Sequence, residues 1–166
     1  DIVWLETQTV TLPTGSTQQV LVPKLYTMVR TGDISNSGAL LSGNNVQLKL
    51  NSDLDNRGTI AGRNIVNLSA NNLDNSGNIV GQQIALQADK DINITGGTVS
   101  AQDTLSAVAG NDLNVTTTTQ TTNQHDHTFD TQRTSIERVA GLYVSAPAGQ
   151  MLLVAGKDIT LTGADI

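Results

Sequence analysis

Three consecutive stretches of this chain write one frame. They are "NSGALLSGNNVQLKLNSDLDN" (Asn36 to Asn56), "NRGTIAGRNIVNLSANNLDN" (Asn56 to Asn75) and "NSGNIVGQQIALQADKDINIT" (Asn75 to Thr95). Glycines recur at Gly38, Gly58, Gly77 and Gly97, with spacings of 20, 19 and 20. A second row holds Gly43, Gly62 and Gly81, with Ala101 in the fourth place. The apolar residue closing each unit falls at Leu54, Leu73, Ile92 and Leu113, spaced 19, 19 and 21. A unit this short cannot bury its own apolar face, so it must stack on its neighbours.

Within each unit the apolar residues alternate. Val46-Leu48-Leu50, Val66-Leu68-Ala70, Ile84-Leu86-Ala88 and Leu105-Ala107-Ala109 are period-two runs. That is strand spacing, with one face buried and one wet. Further short strands are expected around Leu40-Leu41, Ile60, Ile79-Val80 and Val99. Gly, Asn and Asp between them read as corners, since these residues tolerate positive φ. No segment of the repeats keeps a helical period. The expected fold is all-β: a right-handed parallel β-helix, a solenoid of about 20-residue coils spaced roughly 4.8 Å apart. Equivalent residues then lie above one another. Asn36, Asn56 and Asn75 should form a ladder in which each amide bonds the next, beside the corner glycines Gly38, Gly58 and Gly77.

Composition agrees. Aromatic residues are only 2% of the chain, so aliphatic side chains must fill a thin core. Charged residues are 14% and the net charge is −6. The nine basic residues are scattered, whereas a nucleic-acid binder needs a basic stripe. No nucleic-acid partner is expected. With no cysteine, disulfides and thiolate metal sites are excluded. No apolar run approaches the length of a membrane-spanning helix.

Two segments break the period. "WLETQTVTLPTGSTQQVLVPKLY" reads as an extra-helical hairpin turning at Pro13 to Ser16, with Trp4 and Tyr26 flanking it. It suits a flap that shields strand edges, or an exposed contact element. "TTTTQTTNQHDHTFDTQRTSIERVAGLYVSAPAG" (Thr116 to Gly149) reads as a Thr/Gln-rich insertion, after which Ala155 to Ile159 repeats the frame of Ala109 to Leu113. It is either decoration or a binding face, and "TSIERVAG" within it fits a short capped helix as an alternative to strand. The candidate contact residues are Thr119, Gln124, His125, His127 and Arg133. The expected organisation is a flap packed on the helix over 1–30, regular coils over 31–116, a polar β-rich insertion over 117–140 and further coils over 141–166. The chain starts and stops in mid-pattern, as a piece of a much longer protein would.

Chemistry is sparse. His125-Asp126-His127 could face a metal, with Asp130 near, but no third ligand stands at a fixed spacing; a solvated strand is the favoured reading. Asp53, Asp91, Asp112 and Asp158 share one frame position, with Asn72 in the second coil. Carbohydrate-cleaving β-helices use paired carboxylates as acid and base. A carboxylate written into nearly every coil instead suits a structural role, each bonding its own corner backbone. No catalytic residue, metal site or cofactor is expected, and an enzyme acting on polysaccharide is the third choice of function.

The repeats resemble those of filamentous haemagglutinin. "VAGNDLNVTTTTQ" with "RTSIERVAGLYVSAPAGQMLLVAGKDITLTGADI" is similar to the haemagglutinin-repeat module of the same exoproteins. The opening "DIVWLETQTVTLPTGSTQQVLVPKLY" resembles a segment of contact-dependent growth inhibition (CdiA-type) exoproteins. This resemblance implies a Gram-negative surface protein, exported by an outer-membrane two-partner secretion transporter. It implies a β-helical filament that displays an adhesive region or a C-terminal toxin away from the cell. The first expectation is thus a shaft or adhesive segment, with neighbouring coils as its partners. The second is a receptor-binding module that contacts a target-cell protein or glycan.

Overall fold

The computed structural model describes residues 2–11, 17–26, 39–125 and 130–166. The chain divides into two units, residues 1–36 and 37–166. In the first unit, β1 (Ile2–Thr11) and β2 (Thr17–Tyr26) pair antiparallel, from Ile2 opposite Tyr26 to Thr11 opposite Thr17. Thr-, Val- and Leu-rich runs around a Pro-Thr-Gly-Ser stretch give this pairing. The turn expected at Pro13 to Ser16 lies outside the described residues, as do Asn36 and Gly38 of the ladder rows.

The second unit is a parallel β-helix of about four turns. One sheet stacks the long strands β3 (Leu40–Lys49), β5 (Thr59–Ala70), β7 (Asn78–Ala88) and β9 (Thr98–Ala109). The other stacks the short strands β4 (Leu54–Asn56), β6 (Leu73–Asn75), β8 (Ile92–Thr95) and β10 (Leu113–Thr116). After β10 the chain leaves the stack as an antiparallel pair, β11 (Thr118–His125) and β12 (Asp130–Arg138). It returns as β13 (Gly141–Val144) and β14 (Gln150–Ala155), both parallel to β9, and as β15 (Ile159–Thr162), parallel to β10.

The parallel register places like on like. Leu68 stands over Leu86 and Ala70 over Ala88; Leu73, Ile92, Leu113 and Ile159 form another column. Strand alternation buries these residues except Ile159, which is exposed in the last coil, and the buried core cluster contains only Val, Leu, Ile and Ala. A column this narrow leaves no room for rings, which accounts for the aromatic poverty.

The bends sit at the second glycine row. Register shifts follow Gly43, Gly62 and Gly81, so each long strand makes two flat pieces and each coil has three faces. In the last coil these pieces are separate strands, with Ser145 to Gly149 between β13 and β14. The corners absorb every change of coil length. Leu113 and Ile159 are 46 residues apart yet adjacent in register, where Ile92 and Leu113 are 21 apart. Relative to the coil before, 22 extra residues enter between Thr116 and Gly141 and three between Val144 and Gln150.

Three expectations need correction. The segment "TSIERVAG" is not helical: Thr134 to Arg138 belongs to β12 and Gly141 opens β13. The irregular stretch is also shorter than Thr116 to Gly149, because Gly141 to Val144 already pairs with Thr98 to Ala101. Thirdly, positive φ is not what demands most corner glycines. Among the described residues only Gly96 (61°) and Gly163 (60°) are left-handed. At Gly58 a Cβ would overlap the carbonyl oxygen of Ala39, and at Gly77 that of Gly58. The backbone of the neighbouring coil passes where a side chain would begin.

Two outcomes are expected. Gly77→Ala should lower unfolding free energy by about 1–3 kcal/mol or more, because backbone must move. Gly43→Ala should be nearly neutral, since the closest atom to a Cβ there lies 3.5 Å away and Ala101 fills the equivalent place. Urea unfolding of both variants checks the contrast. Separately, Leu86→Asp should abolish the cooperative transition and the β-type circular dichroism, because Leu86 is 1% exposed in a dry column.

Candidate functional site

Scaffold and contact chemistry separate once side-chain partners are assigned. Asn56 and Asn75 point inward and are the buried polar residues among those described. The Asn56 amide donates from Nδ2 to Oδ1 of Asn75 at 2.7 Å. Asn75 in turn donates to the carbonyls of Gly77 (3.2 Å) and Thr98 (3.4 Å). Gly58 N–H donates to Oδ1 of Asn56. The ladder ends there, because Ile94 occupies the next place in register. Every polar atom of this buried pair thereby has a partner, as burial requires.

The aspartate row is also scaffold, by a different bond from the one expected. Its side chains do not hold their own corners. Each accepts the N–H of the equivalent residue one coil on: Asn72 N–H to Asp53, Asp91 N–H to Asn72, Asp112 N–H to Asp91 and Asp158 N–H to Asp112. Amides of Asn71 and Asn72 donate to Asp53 and hold its carboxyl below the usual range. A third row runs along the outside of the short sheet: Asn93 donates to Asp74 (2.8 Å) and Asn114 to Asn93 (3.0 Å).

The β11–β12 hairpin is different in kind. Its root is clamped. The Thr117 hydroxyl donates to the carbonyl of Gly163 at 2.7 Å and accepts the N–H of Ala140 at 3.0 Å. Gly96 lies under the root, where a Cβ would press on Thr118 and Arg138 at 3.1 Å. Beyond the root none of the described residues is buried. Thr119 to Gln124 and all of β12 are exposed. Thr121 and Thr134 share a hydroxyl hydrogen bond of 3.0 Å across the pair.

Of the candidate contact residues, Thr119, Gln124 and Arg133 lie exposed on this hairpin. Cross-strand partners share a face. Thr119 pairs with Ile136, whereas Gln124 pairs with Thr131 and Arg133 with Thr122. Thr119 therefore stands on one face and Gln124 with Arg133 on the other. His125 pairs with Asp130 through the backbone, and His127 lies outside the described residues. Thr117 was not among the candidates. Its signal was present: Thr-Gly at 95–96 recurs as Thr-Gly at 162–163, and Thr116-Thr117 stands between them without the glycine.

A shallow groove of about 340 Å³ follows the bend between the two parts of the long strands. Gly62, Gly81 and Ala101 line it together with Arg63, Gln82 and Gln102. The Gln82 amide donates to the Asp103 carboxylate at 2.8 Å. The groove thus offers amides and one guanidinium.

Residues 67–146 match the family model of the haemagglutinin repeat, a little under half of the chain. The matched stretch runs from within β5, through the hairpin, to just beyond β13. No curated protein and no solved structure matches the chain. The match supports kinship with filamentous haemagglutinin-like proteins.

Replacing Asn75 by Asp tests the inner ladder. The buried carboxylate would face the Gly77 and Thr98 carbonyls, so burial raises its pKa above the unfolded value. A raised folded pKa means stability is kept at acid pH and lost as pH rises. Thermal melts of Asn75→Asp should therefore approach the parent protein near pH 3 and fall well below it at pH 7. A pH-independent deficit would contradict this account.

Proposed function

We propose that this chain is a structural and adhesive segment of a secreted haemagglutinin-like exoprotein, a stretch of bacterial surface filament. The observation that carries the reading is the haemagglutinin-repeat match over 67–146, laid on stacked parallel coils. Such a stack suits a shaft. Coils share both backbone bonds and core columns, so pulling one coil away strips its neighbour of both.

The finer reading extends this. The filament leaves a Gram-negative cell through an outer-membrane two-partner transporter. In the growth-inhibition branch, which the opening hairpin segment resembles, it holds a C-terminal toxin away from the cell. The function needs no catalysis and no cofactor. A chain without cysteine is compatible with export in the unfolded state, where premature disulfides would obstruct passage.

A second reading, a receptor-binding module, is favoured by the exposure of the whole β12 strand. Excision of Thr118 to Arg138, joining Thr117 to Val139, separates the two. The join keeps the Thr117 bond to Ala140 and leaves a corner close in length to that after Thr95. A shaft should retain its β-type spectrum, its melting temperature within a few degrees, and full attachment of display beads to target cells. Lost attachment with an intact fold would overturn the passive shaft and leave the receptor-binding module.

A further inference from the structure

We infer that the free edge of β11 is a self-association surface, at which a second copy of this chain adds its own β11 antiparallel. The inference concerns pairing between copies and does not rest on the proposed function.

Among the described residues the hairpin is a two-stranded sheet, and β11 has a strand along only one edge. An isolated two-stranded pair is marginal in water, and an unpaired edge is a template for another strand. Proteins normally guard such an edge with charges, proline or a bulge. The strand β12 is guarded: it carries Asp130, Arg133, Glu137 and Arg138. By contrast, no Asp, Glu, Lys, Arg, Pro or Gly occurs from Leu113 to Gln124. The one irregularity of the pair lies at its root, between Thr118 and Thr119, and leaves the rest of β11 straight.

Two features select a second copy as the occupant: the edge is neutral, and its sequence is self-complementary. The whole chain has a net charge of −6, so two copies repel over most of their surface. The β11 edge is neutral and can be approached without that cost. Its sequence is also self-complementary in either central register. About a two-fold axis at Thr121, Thr119 meets Asn123 and Gln120 meets Thr122. About an axis at Thr122, Thr121 meets Asn123 and Gln120 meets Gln124. Each such pair is neutral and able to hydrogen-bond, as cross-strand Thr121 and Thr134 already do within one copy. The product is a four-stranded sheet, β12-β11-β11-β12, with the charged strands outermost.

Sedimentation velocity over a concentration series tests this on the whole chain. The parent should form a dimer. Thr121→Lys should raise its dissociation constant about ten-fold or more, since the two added charges then stand directly opposite (axis at Thr121) or as diagonal neighbours on one face (axis at Thr122). Gln132→Lys adds the same charge on the same hairpin face but on β12, beside Asn123, and should leave dimerisation unchanged. A second arm uses the absence of cysteine. Thr119 to Asn123 are replaced singly by cysteine, and oxidation should join two copies best at the symmetry centre. A parent that stays monomeric overturns the inference. So does a dimer that is insensitive to Thr121→Lys, equal weakening by Gln132→Lys, or crosslinking no better along β11 than for Gln132→Cys.

Discussion

The parallel backbone ladder between successive coils is the interaction on which the rest of this protein depends. Once one coil hydrogen-bonds the next in register, equivalent positions are held a strand spacing apart. Side chains then meet their own kind. Aliphatic residues make columns, asparagines pass amide to amide, and the carboxylate of Asp53 meets the next coil's N–H. The same closeness leaves no space beside Gly58 and Gly77 for a Cβ. Core, polar rows and glycine rows are three consequences of one spacing.

That spacing also decides where variation is tolerated. A residue inserted within a strand would turn its whole apolar set outward. A residue inserted at a corner only lengthens a loop. The large excursion and the short one both fall at corners, between Thr116 and Gly141 and between Val144 and Gln150. The hairpin consequently stands on the stacked coils, and its described residues beyond the root are exposed. Contact residues on it are free of the ladder's demands, whereas Asn75 or Asp112 are not. Corners are the places free to vary for a physical reason: the walls are already committed to holding neighbouring coils.

Much of this is legible in the residues alone. Alternation from Val66 to Ala70 and from Ile84 to Ala88 named the inward face. The spacing of Leu54, Leu73 and Ile92 named the coil. The ladder step from Asn56 to Asn75 followed from stacking equal residues. Three other features did not follow. The corner glycines looked like turn residues because a glycine needed for left-handed φ and one needed for close approach are the same letter. The Asp row looked local because a hydrogen bond to the neighbouring coil leaves no mark on nearby sequence. "TSIERVAG" read equally as helix or strand, since so short a run carries no decisive period. Thr119, Gln124 and Arg133 could be named as candidates from the sequence, but their division between two faces depends on the pairing register of β11 with β12.

What the sequence determined by itself is the repeat, and through it the solenoid. A periodic apolar pattern of about 20 residues has one economical way to hide from water, which is to stack. What only the tertiary structure decided is which partner each polar atom takes and which edges stay open. Thr117 joins the hairpin root to Gly163, 46 residues away, and among the described strands β11 has one edge paired and one open. Those outcomes rest on distances between coils and on register across a hairpin. Neither is written in the spacing of residues along a single strand.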